Sequence, residues 1–260
     1  MELNPALYLI PVNISNAPLR DTLPEGNLDI LRHLHHIIVE NVRTARRFLK
    51  RCDPGFDIGS VTFYELNRHT DLGEVSTYLE PLRRGEAIGV MSEAGCPAVA
   101  DPGALPVSLA QREGFKVVPL VGPSSILMSL MASGFNGQGF CFNGYLPIEQ
   151  KEREKKLRDL EILSKKNDMT QIFIETPYRN NRMIAAITSV LRGDTLLCVA
   201  CDITDPENET ILTMPVSKWK QAKYDYDKRP AIFLIYAPGR NIVTPVSYTH
   251  LRAHETRGNL

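Results

Sequence analysis

Short apolar segments alternate with helix-like segments along most of this 260-residue chain. Strands that are separated by helices pair in parallel, and the helices then cover both faces of the sheet. The first half of the chain is therefore predicted to form an α/β fold around a mainly parallel sheet. Its strand-like runs are "ALYLIPV", "HIIVE", "VTFYEL", "AIGVM" and "KVVPLV".

A highly charged helix, "EQKEREKKLRDLEILSKKN", follows the first half and begins a second group of strands and helices. Its acids and bases lie three or four residues apart, which is typical of an exposed helix. We therefore predict an N-terminal α/β domain over residues 1–147 and a C-terminal α/β domain over residues 148–243. Residues 244–260 lack usable periodicity, and we predict a non-native or disordered tail there.

Composition excludes several classes of protein. The 30 basic and 30 acidic residues balance, so no global charge attracts the chain to nucleic acid, although a local basic patch stays possible. No apolar run approaches the roughly 20 residues of a membrane span. Five scattered cysteines and the absence of a signal-peptide pattern predict a cytoplasmic protein with reduced thiols.

Common catalytic signatures are missing from the sequence. It contains no dinucleotide-binding glycine fingerprint, P-loop, nucleophile elbow or zinc-protease motif. The "HLHH" segment has poor ligand spacing, so we predict no metal site. Cys198 and Cys201 form a C-x-x-C inside a strand-like run, where a packing role is favoured over redox chemistry.

Three loops that follow strands carry the candidate chemistry, because open α/β sheets bind ligands at the carboxyl ends of their strands. The first, Ser92–Gly103, reads "SEAGCPAVADPG", with glycines that allow close backbone approach and prolines that stiffen the loop. Asp101 either contributes to a binding site or caps the next helix. Cys96 is interpreted as a small loop residue rather than a nucleophile.

The other two loops are "VGPSS", Val121–Ser125, and "ETPYRNN", Glu175–Asn181. In the former, Ser124 or Ser125 is expected to cap a helix, whose free N–H groups could also hold a carboxylate. In the latter, a carboxylate, an aromatic ring and a guanidinium meet at one strand end. Arg179 either pairs with Glu175 or contacts a substrate, and the sequence leaves both open.

Several motifs, taken together, resemble the tetrapyrrole methylase-like S-adenosylmethionine (SAM) methyltransferases. The resemblance spans about Leu7 to Pro238, and within the family it is strongest to enzymes that methylate a cytidine 2′-hydroxyl in small-subunit ribosomal RNA. The spacing between the second and third motifs is its most specific part. The motifs are "VENVRTARRFL", "GVMSEAGCPAVADPG", "VVPLVGPSSILMSLMASG", "GYLP" and "FIETPYRN".

The resemblance implies two α/β domains, with a mainly parallel N-terminal sheet, a mixed C-terminal sheet and a cofactor cleft between them. It also implies a homodimer with SAM as its cofactor. The SAM contacts that it implies on this chain are Glu93, Ala94, Gly95, Cys96, Pro97, Asp101, Pro123, Ser124, Ser125, Thr176, Ala200 and Pro230.

The predicted function is 2′-O-methylation of small-subunit ribosomal RNA, with the RNA or the small ribosomal subunit as partner, and without DNA or membrane. Glu175 is the candidate base, and Arg179 fixes its geometry or grips a phosphate. Phosphate contacts are expected from a basic cluster, chiefly Arg43, Arg46 and Arg47.

Two alternatives stay open because the loop Pro11–Asp21 lacks the glycines of the family's T-P-x-G-N-L-G-D turn. One is a methyltransferase that acts on a tetrapyrrole or another small molecule, although the G-x-G-D-P loop of porphyrin and corrin methylases is missing. The other is a SAM-binding protein without catalysis.

Overall fold

The computed structural model describes residues 3–71 and 73–239. Within them, two five-stranded sheets follow each other along the chain. The predicted tail, residues 244–260, and the last residues of the predicted C-terminal domain lie outside the described residues.

The first sheet is entirely parallel, with strand order β3-β2-β4-β1-β5. Its central strand, β4, is buried along its whole length, which is why the sequence there is continuously apolar. All five carboxyl ends open at one edge of the sheet. The strands are β1 Leu7–Ile10, β2 His36–Val39, β3 Thr62–Glu65, β4 Ile88–Met91 and β5 Val117–Pro119.

The second sheet is mixed, with strand order β6-β7-β10-β8-β9. Only β6 and β7 pair in parallel, and the other neighbours are antiparallel. The predicted fold class, two α/β units with a parallel and a mixed sheet, is therefore confirmed. The strands are β6 Phe140–Tyr145, β7 Thr170–Ile174, β8 Leu196–Cys201, β9 Thr210–Pro215 and β10 Ala231–Tyr236.

The change from one sheet to the other occurs earlier than the sequence suggested. The predicted N-terminal domain, residues 1–147, includes the segment "GFCFNGYLP", yet β6 pairs with β7 of the second sheet. The boundary at residue 147 therefore does not coincide with the change of sheet, which lies between Pro119 and Phe140. Pairing across a sheet depends on contacts far apart in sequence, so the local pattern did not reveal it.

Helices cover both sheets, and most lie where the sequence predicted them. One predicted helix, "DLGEVSTYLEPLRRG", divides into a 3₁₀ segment, Glu74–Leu79, and a short α-helix in which Pro81 occupies the first turn. The α-helices are α1 Leu19–Thr22, α2 Glu25–Arg32, α3 Val42–Cys52, α4 Glu80–Arg83, α5 Ala104–Arg112, α6 Ser125–Ser133, α7 Gln150–Asn167, α8 Asn180–Val190 and α9 Val216–Trp219; further 3₁₀ segments are Ile58–Ser60 and Pro177–Arg179.

Helix α6 follows a strand of the first sheet but packs on the second sheet. Its Leu130 joins an apolar cluster with Ile172 and Leu234. Helices α7 and α8 contribute to a separate cluster around the second sheet. This crossing places the first turn of α6 at the gap between the two sheets.

The C-x-x-C pair lies inside β8, and both cysteines are buried. Burial raises the pKa of Cys198 to about 11 and that of Cys201 to about 12. Thiols with such pKa values are poor nucleophiles, which agrees with the packing role that the sequence favoured. Within residues 3–71 and 73–239, none of the helices has the length and hydrophobicity of a membrane span.

Candidate active site

A cleft of about 380 Å³ lies between the carboxyl ends of the first sheet and one face of the second sheet. Its volume is within the range of small-molecule sites, roughly 300–1,000 Å³. On the first-sheet side it is lined by strand-end loops and the first turn of α6. These lining residues are Ile14, Glu40, Ser92, Glu93, Ala94, Val99, Ala100, Asp101, Ser125 and Ile126.

The second-sheet side of the cleft is largely apolar. Strands β6, β7, β8 and β10 and the loops that flank them supply its surface. It carries one carboxylate, that of Glu175. The lining residues on this side are Phe142, Tyr145, Ile174, Glu175, Pro177, Ala200, Ile203, Pro230, Ala231 and Ile232.

Asp101 braces the loop Ser92–Gly103 from inside. Its Oδ1 accepts hydrogen bonds from the backbone N–H groups of Ala98 and Gly103, both at 2.8 Å. Ala98 and Ala100 have φ values of 66° and 60°. Such left-handed residues cost about 1–3 kcal/mol each and persist only where the surroundings hold them. Gly103 occupies the N-cap of α5 without any side-chain cap, so of the two alternatives for Asp101 the structure does not contain the helix cap.

The same loop is tied to its neighbours at Gly95 and Cys96. Gly95, with φ of 72°, exchanges two backbone hydrogen bonds of 2.9 Å with Val12 of the loop after β1. The Cys96 thiol donates to the carbonyl of Pro123 at 3.4 Å, and burial raises its pKa. Cys96 therefore joins two loops, which agrees with its interpretation as a loop residue rather than a nucleophile.

The turn Val121–Ser125 enters α6 under tight steric constraint. A Cβ at Gly122 would lie 2.2 Å from the Cβ of Pro11, so no larger residue fits there. The Ser124 hydroxyl accepts a hydrogen bond from the N–H of Leu127 at 3.4 Å, which confirms that one of the two serines caps the helix. Ser125 is the serine that lines the cleft.

Three carboxylates face the cleft from the first-sheet side: Glu40, Glu93 and Asp101. Burial is the main cause that raises the pKa of Glu40, and the negative charges of Asp101 and Glu93 raise it further. Burial also raises the pKa of Asp101, against the two N–H groups that it accepts from. None of the three forms an ion pair with a described residue. This wall of the cleft therefore favours a cationic ligand.

Glu175, on the opposite wall, has a cation partner. Its side chain is 3% exposed, and its Oε1 accepts from Arg179 Nη2 at 2.7 Å and from Nε at 3.0 Å. The N–H of Thr176 donates to the same oxygen at 2.6 Å. Of the two alternatives for Arg179, the structure contains the pairing with Glu175, and Arg179 itself does not line the cleft.

The sequence-predicted SAM contacts divide into two groups in the structure. Half of them line the cleft, and the other half are not part of its lining. The lining group consists of Glu93, Ala94, Asp101, Ser125, Ala200 and Pro230, and the other group of Gly95, Cys96, Pro97, Pro123, Ser124 and Thr176.

The predicted phosphate contacts, Arg43, Arg46 and Arg47, are exposed on α3 and lie outside the cleft lining. Arg46 places its guanidinium over the ring of Phe63 at 5.5 Å. None of the three arginines pairs with a carboxylate among the described residues. The hydroxyl of Thr44, in the first turn of α3, donates to Glu93 Oε1 at 2.6 Å, so this helix begins at the cleft.

Sequence reasoning missed several residues of the cleft. Ile14 lies in the loop after β1, which lacks the glycines of the family's turn and therefore carried no motif that pointed to it. Phe142 and Tyr145 were missed because β6 had been assigned to the first half. In the described part of the chain, no group of three or more His, Cys, Asp or Glu side chains could hold a metal ion.

Comparison with known proteins finds relatives from different bacteria that carry the same name. The chain is 33% identical over 214 residues to "Ribosomal RNA small subunit methyltransferase I" of Vibrio cholerae, which covers 82% of this chain and 70% of that protein. The protein of the same name from Escherichia coli O157:H7 is 30% identical over 236 residues, covering 90% and 77%. No protein-family model matches the chain.

Solved structures of other proteins share the fold. A cobalamin biosynthetic enzyme, cobalt precorrin-4 methyltransferase, superimposes with a TM-score of 0.56 at 19% identity, covering 88% of this chain and 94% of that one. Diphthine synthase superimposes with a TM-score of 0.62 at 15% identity, covering 89% of each chain. At these identities the similarity establishes the two-sheet fold alone.

Proposed function

The chain belongs to the ribosomal RNA small subunit methyltransferase I family, and from that premise we propose that it methylates a ribose 2′-hydroxyl of small-subunit ribosomal RNA with SAM. Family membership is the observation that carries this proposal. The cleft between the two sheets is the site at which we place the reaction.

The residues of the cleft fit SAM by their chemistry. SAM carries a sulfonium and an amino group, and the three carboxylates of the first-sheet wall complement these positive charges. The first turn of α6 offers N–H groups suited to a carboxylate, and the opposite wall offers apolar surface. When bound, SAM supplies an electrophilic methyl group. We assign its contacts to the six lining residues named above, and the positioning of their loops to the other six.

The task of the loops is to orient the reactants and exclude water. Orientation alone supplies roughly 7–11 kcal/mol of a reaction barrier, provided that the reacting atoms are held at the correct geometry. The brace formed by Asp101 and the bridge between Gly95 and Val12 restrict the first-sheet wall in this way. Such pre-ordering also lowers the entropic cost of binding.

We propose Glu175 as the group that accepts the proton of the ribose hydroxyl. Since Oε1 already accepts three hydrogen bonds, Oε2 is the oxygen assigned to the proton. Arg179 is then a positioning residue that fixes this carboxylate. A base in reach contributes typically ~10²–10⁴-fold to the rate. Substitution Glu175→Gln should lower turnover by about that factor and leave SAM affinity within a few-fold.

Arg43, Arg46 and Arg47 are proposed to contact RNA phosphates beside the cleft. They are exposed, they carry no carboxylate partner among the described residues, and their helix begins at Glu93. We place the protein in the cytoplasm with the small ribosomal subunit as its partner, and we propose no DNA or membrane partner. Phosphate contacts predict that affinity falls steeply as salt rises.

A homodimer is part of the proposal, and exposed apolar residues support it. Leu127 and Met131, one turn apart on α6, are 50% and 82% exposed. An exposed apolar patch of this kind favours association, and we propose that a second copy of this chain covers it. Sedimentation at micromolar concentration tests it, with a dimer mass expected and a monomer mass contradicting it.

A small-molecule acceptor is the second candidate, and one contact favours it. Ser15, in the loop that lacks glycine, bonds to Thr204 of the second half through their hydroxyls at 2.8 Å. This contact joins the two sides of the cleft next to Ile14 and Ile203, and we take such a bridge to favour a small acceptor over a macromolecule.

Two measurements separate these functions. A thermal shift with SAM and with its demethylated product tests the cofactor, and transfer of tritiated methyl to small ribosomal subunits tests the acceptor. We expect stabilisation and transfer. Stabilisation without transfer to any RNA would favour the small-molecule acceptor or a binding protein, and no stabilisation would contradict the cofactor assignment.

A further inference from the structure

Strand β6 contains an irregularity that turns one aromatic side chain toward the cleft. Phe142 pairs with Ile172, but the next pair joins Tyr145 to Ile174. Between these two pairs, β6 moves on by three residues and β7 by only two, so β6 contains one extra residue. Ile172 and Ile174 lie on the same face of the sheet. The extra residue therefore brings Tyr145, instead of Gly144, onto the face where Phe142 lies.

The chain on both sides of this bulge is held firmly. Gly144 has φ of 63°, a left-handed conformation that glycine adopts without strain. The side-chain amide of Asn143 donates to the carbonyl of Ile172 at 3.3 Å and to Gln171 Oε1 at 3.1 Å. Leu146, the next residue, is buried in the core. The direction of Tyr145 is thus fixed by its neighbours rather than by its own contacts.

The side chain of Tyr145 is open to the cleft and to solvent. It lines the cleft and is 61% exposed, more than any other large hydrophobic side chain of the lining. Its hydroxyl makes no hydrogen bond and its ring has no aromatic partner among the described residues. A fixed, exposed ring at the mouth of a cleft is suited to stacking on a flat ligand.

We propose that Tyr145 is the stacking surface for an unpaired nucleobase of the RNA substrate, an inference that rests on the proposed function. Proteins that recognise single-stranded RNA stack its splayed bases on aromatic side chains. The adenine of SAM is the other possible stacking partner. We favour the RNA base because Tyr145 is exposed at the rim, across the cleft from the carboxylates assigned to SAM.

Affinities of the alanine variant test the proposal. Tyr145→Ala should weaken binding of a single-stranded oligoribonucleotide, and raise KM for small ribosomal subunits, by roughly tenfold. SAM affinity should stay within twofold, and Tyr145→Phe should recover most of the RNA affinity because the ring is kept. Tyr178→Ala is the matched control, since Tyr178 is 73% exposed but does not line the cleft.

A fluorescence variant gives a readout that needs no activity. The chain has one tryptophan, Trp219, which is buried, so Tyr145→Trp adds an exposed reporter. We expect its emission to be quenched by the oligoribonucleotide and unchanged by SAM alone.

Three results would overturn the proposal: unchanged RNA affinity in Tyr145→Ala, a tenfold loss of SAM affinity, or a change in oligomeric mass without a change in RNA affinity. A wild-type protein that transfers no methyl group would instead contradict the proposed function, and the quenching experiment remains informative in that case.

Discussion

The two walls of the cleft carry their carboxylates in opposite ways. On the first-sheet wall, Glu40, Glu93 and Asp101 lie near one another without a cation. On the second-sheet wall, Glu175 is paired with Arg179 and surrounded by apolar residues. The first wall therefore favours a positively charged ligand, whereas on the second wall the negative charge of Glu175 is already balanced by Arg179. Under the proposed function, this asymmetry assigns the first-sheet wall to the cofactor and the second-sheet wall to the reaction.

The largest effect is expected from removing the cation of the second wall. Arg179→Met leaves the buried Glu175 carboxylate without its partner, and breaking such a pair destabilises a protein by about 3 kcal/mol. Urea unfolding measures this loss. Arg182→Met, at an exposed position in the first turn of α8, should change little. The double variant Glu175→Gln, Arg179→Met should recover most of the lost stability. If Arg179→Met alone were as stable as the wild type, the proposed contrast between the two walls would be wrong.

The next largest effect is expected from removing the hydrogen bonds that Asp101 accepts within the first-sheet wall. Asp101→Ala removes two backbone hydrogen bonds that hold Ala98 and Gly103, so we expect stability to fall by about 2 kcal/mol and SAM affinity by roughly tenfold. Calorimetric titration measures the affinity. Asp57→Ala is a matched control, since Asp57 makes a similar bond to the N–H of Gly59 outside the cleft lining. Equal SAM affinity in both variants would mean that the brace has no binding role.

The pKa of Glu40 predicts a specific pH dependence. Because its pKa is raised in the folded protein, the folded state holds this proton more tightly than the unfolded state does. Its contribution to stability is therefore full below the ordinary value near 4.5 and is lost as pH rises through the raised pKa. Glu40→Gln should be more stable than the wild type at pH 7, and bind the cationic SAM about fivefold more weakly.

Thermal unfolding between pH 4 and pH 8 checks this prediction, with Glu207→Gln as the exposed control. The advantage of Glu40→Gln should shrink as pH is lowered. A variant that is less stable than the wild type at pH 7 would show that Glu40 has a favourable partner in the folded state.

The smallest effect is expected from removing the hydrogen bond between Ser15 and Thr204, which joins the two halves of the chain. Ser15→Ala removes the bond to Thr204 and the bond from the N–H of Ala17, and should cost about 1 kcal/mol. Hydrogen exchange should speed up in residues 13–17 while SAM affinity stays within twofold. Ser217→Ala, at an exposed serine, is the control. Unchanged exchange would mean that the contact does not hold the loop.

Local sequence features predicted the strands and the loops at their ends, since burial and turn chemistry act over a few residues. They placed Glu93 correctly beside a strand end and Ser125 at a helix start. They could not assign β6 to its sheet, because that depends on pairing with β7. Nor could they decide whether Arg179 faces Glu175 or a substrate, because only the folded geometry separates these alternatives.

The central claim is that this cleft directs a methyl group to a ribose hydroxyl of small-subunit ribosomal RNA. The most direct measurement is mass spectrometry of nucleosides from small ribosomal subunits that were incubated with SAM and either wild-type protein or Glu175→Gln. We predict one additional 2′-O-methylated nucleoside with the wild type and a strongly reduced yield with the variant. A methyl group found on a base, or no methylated nucleoside at all, would contradict the claim.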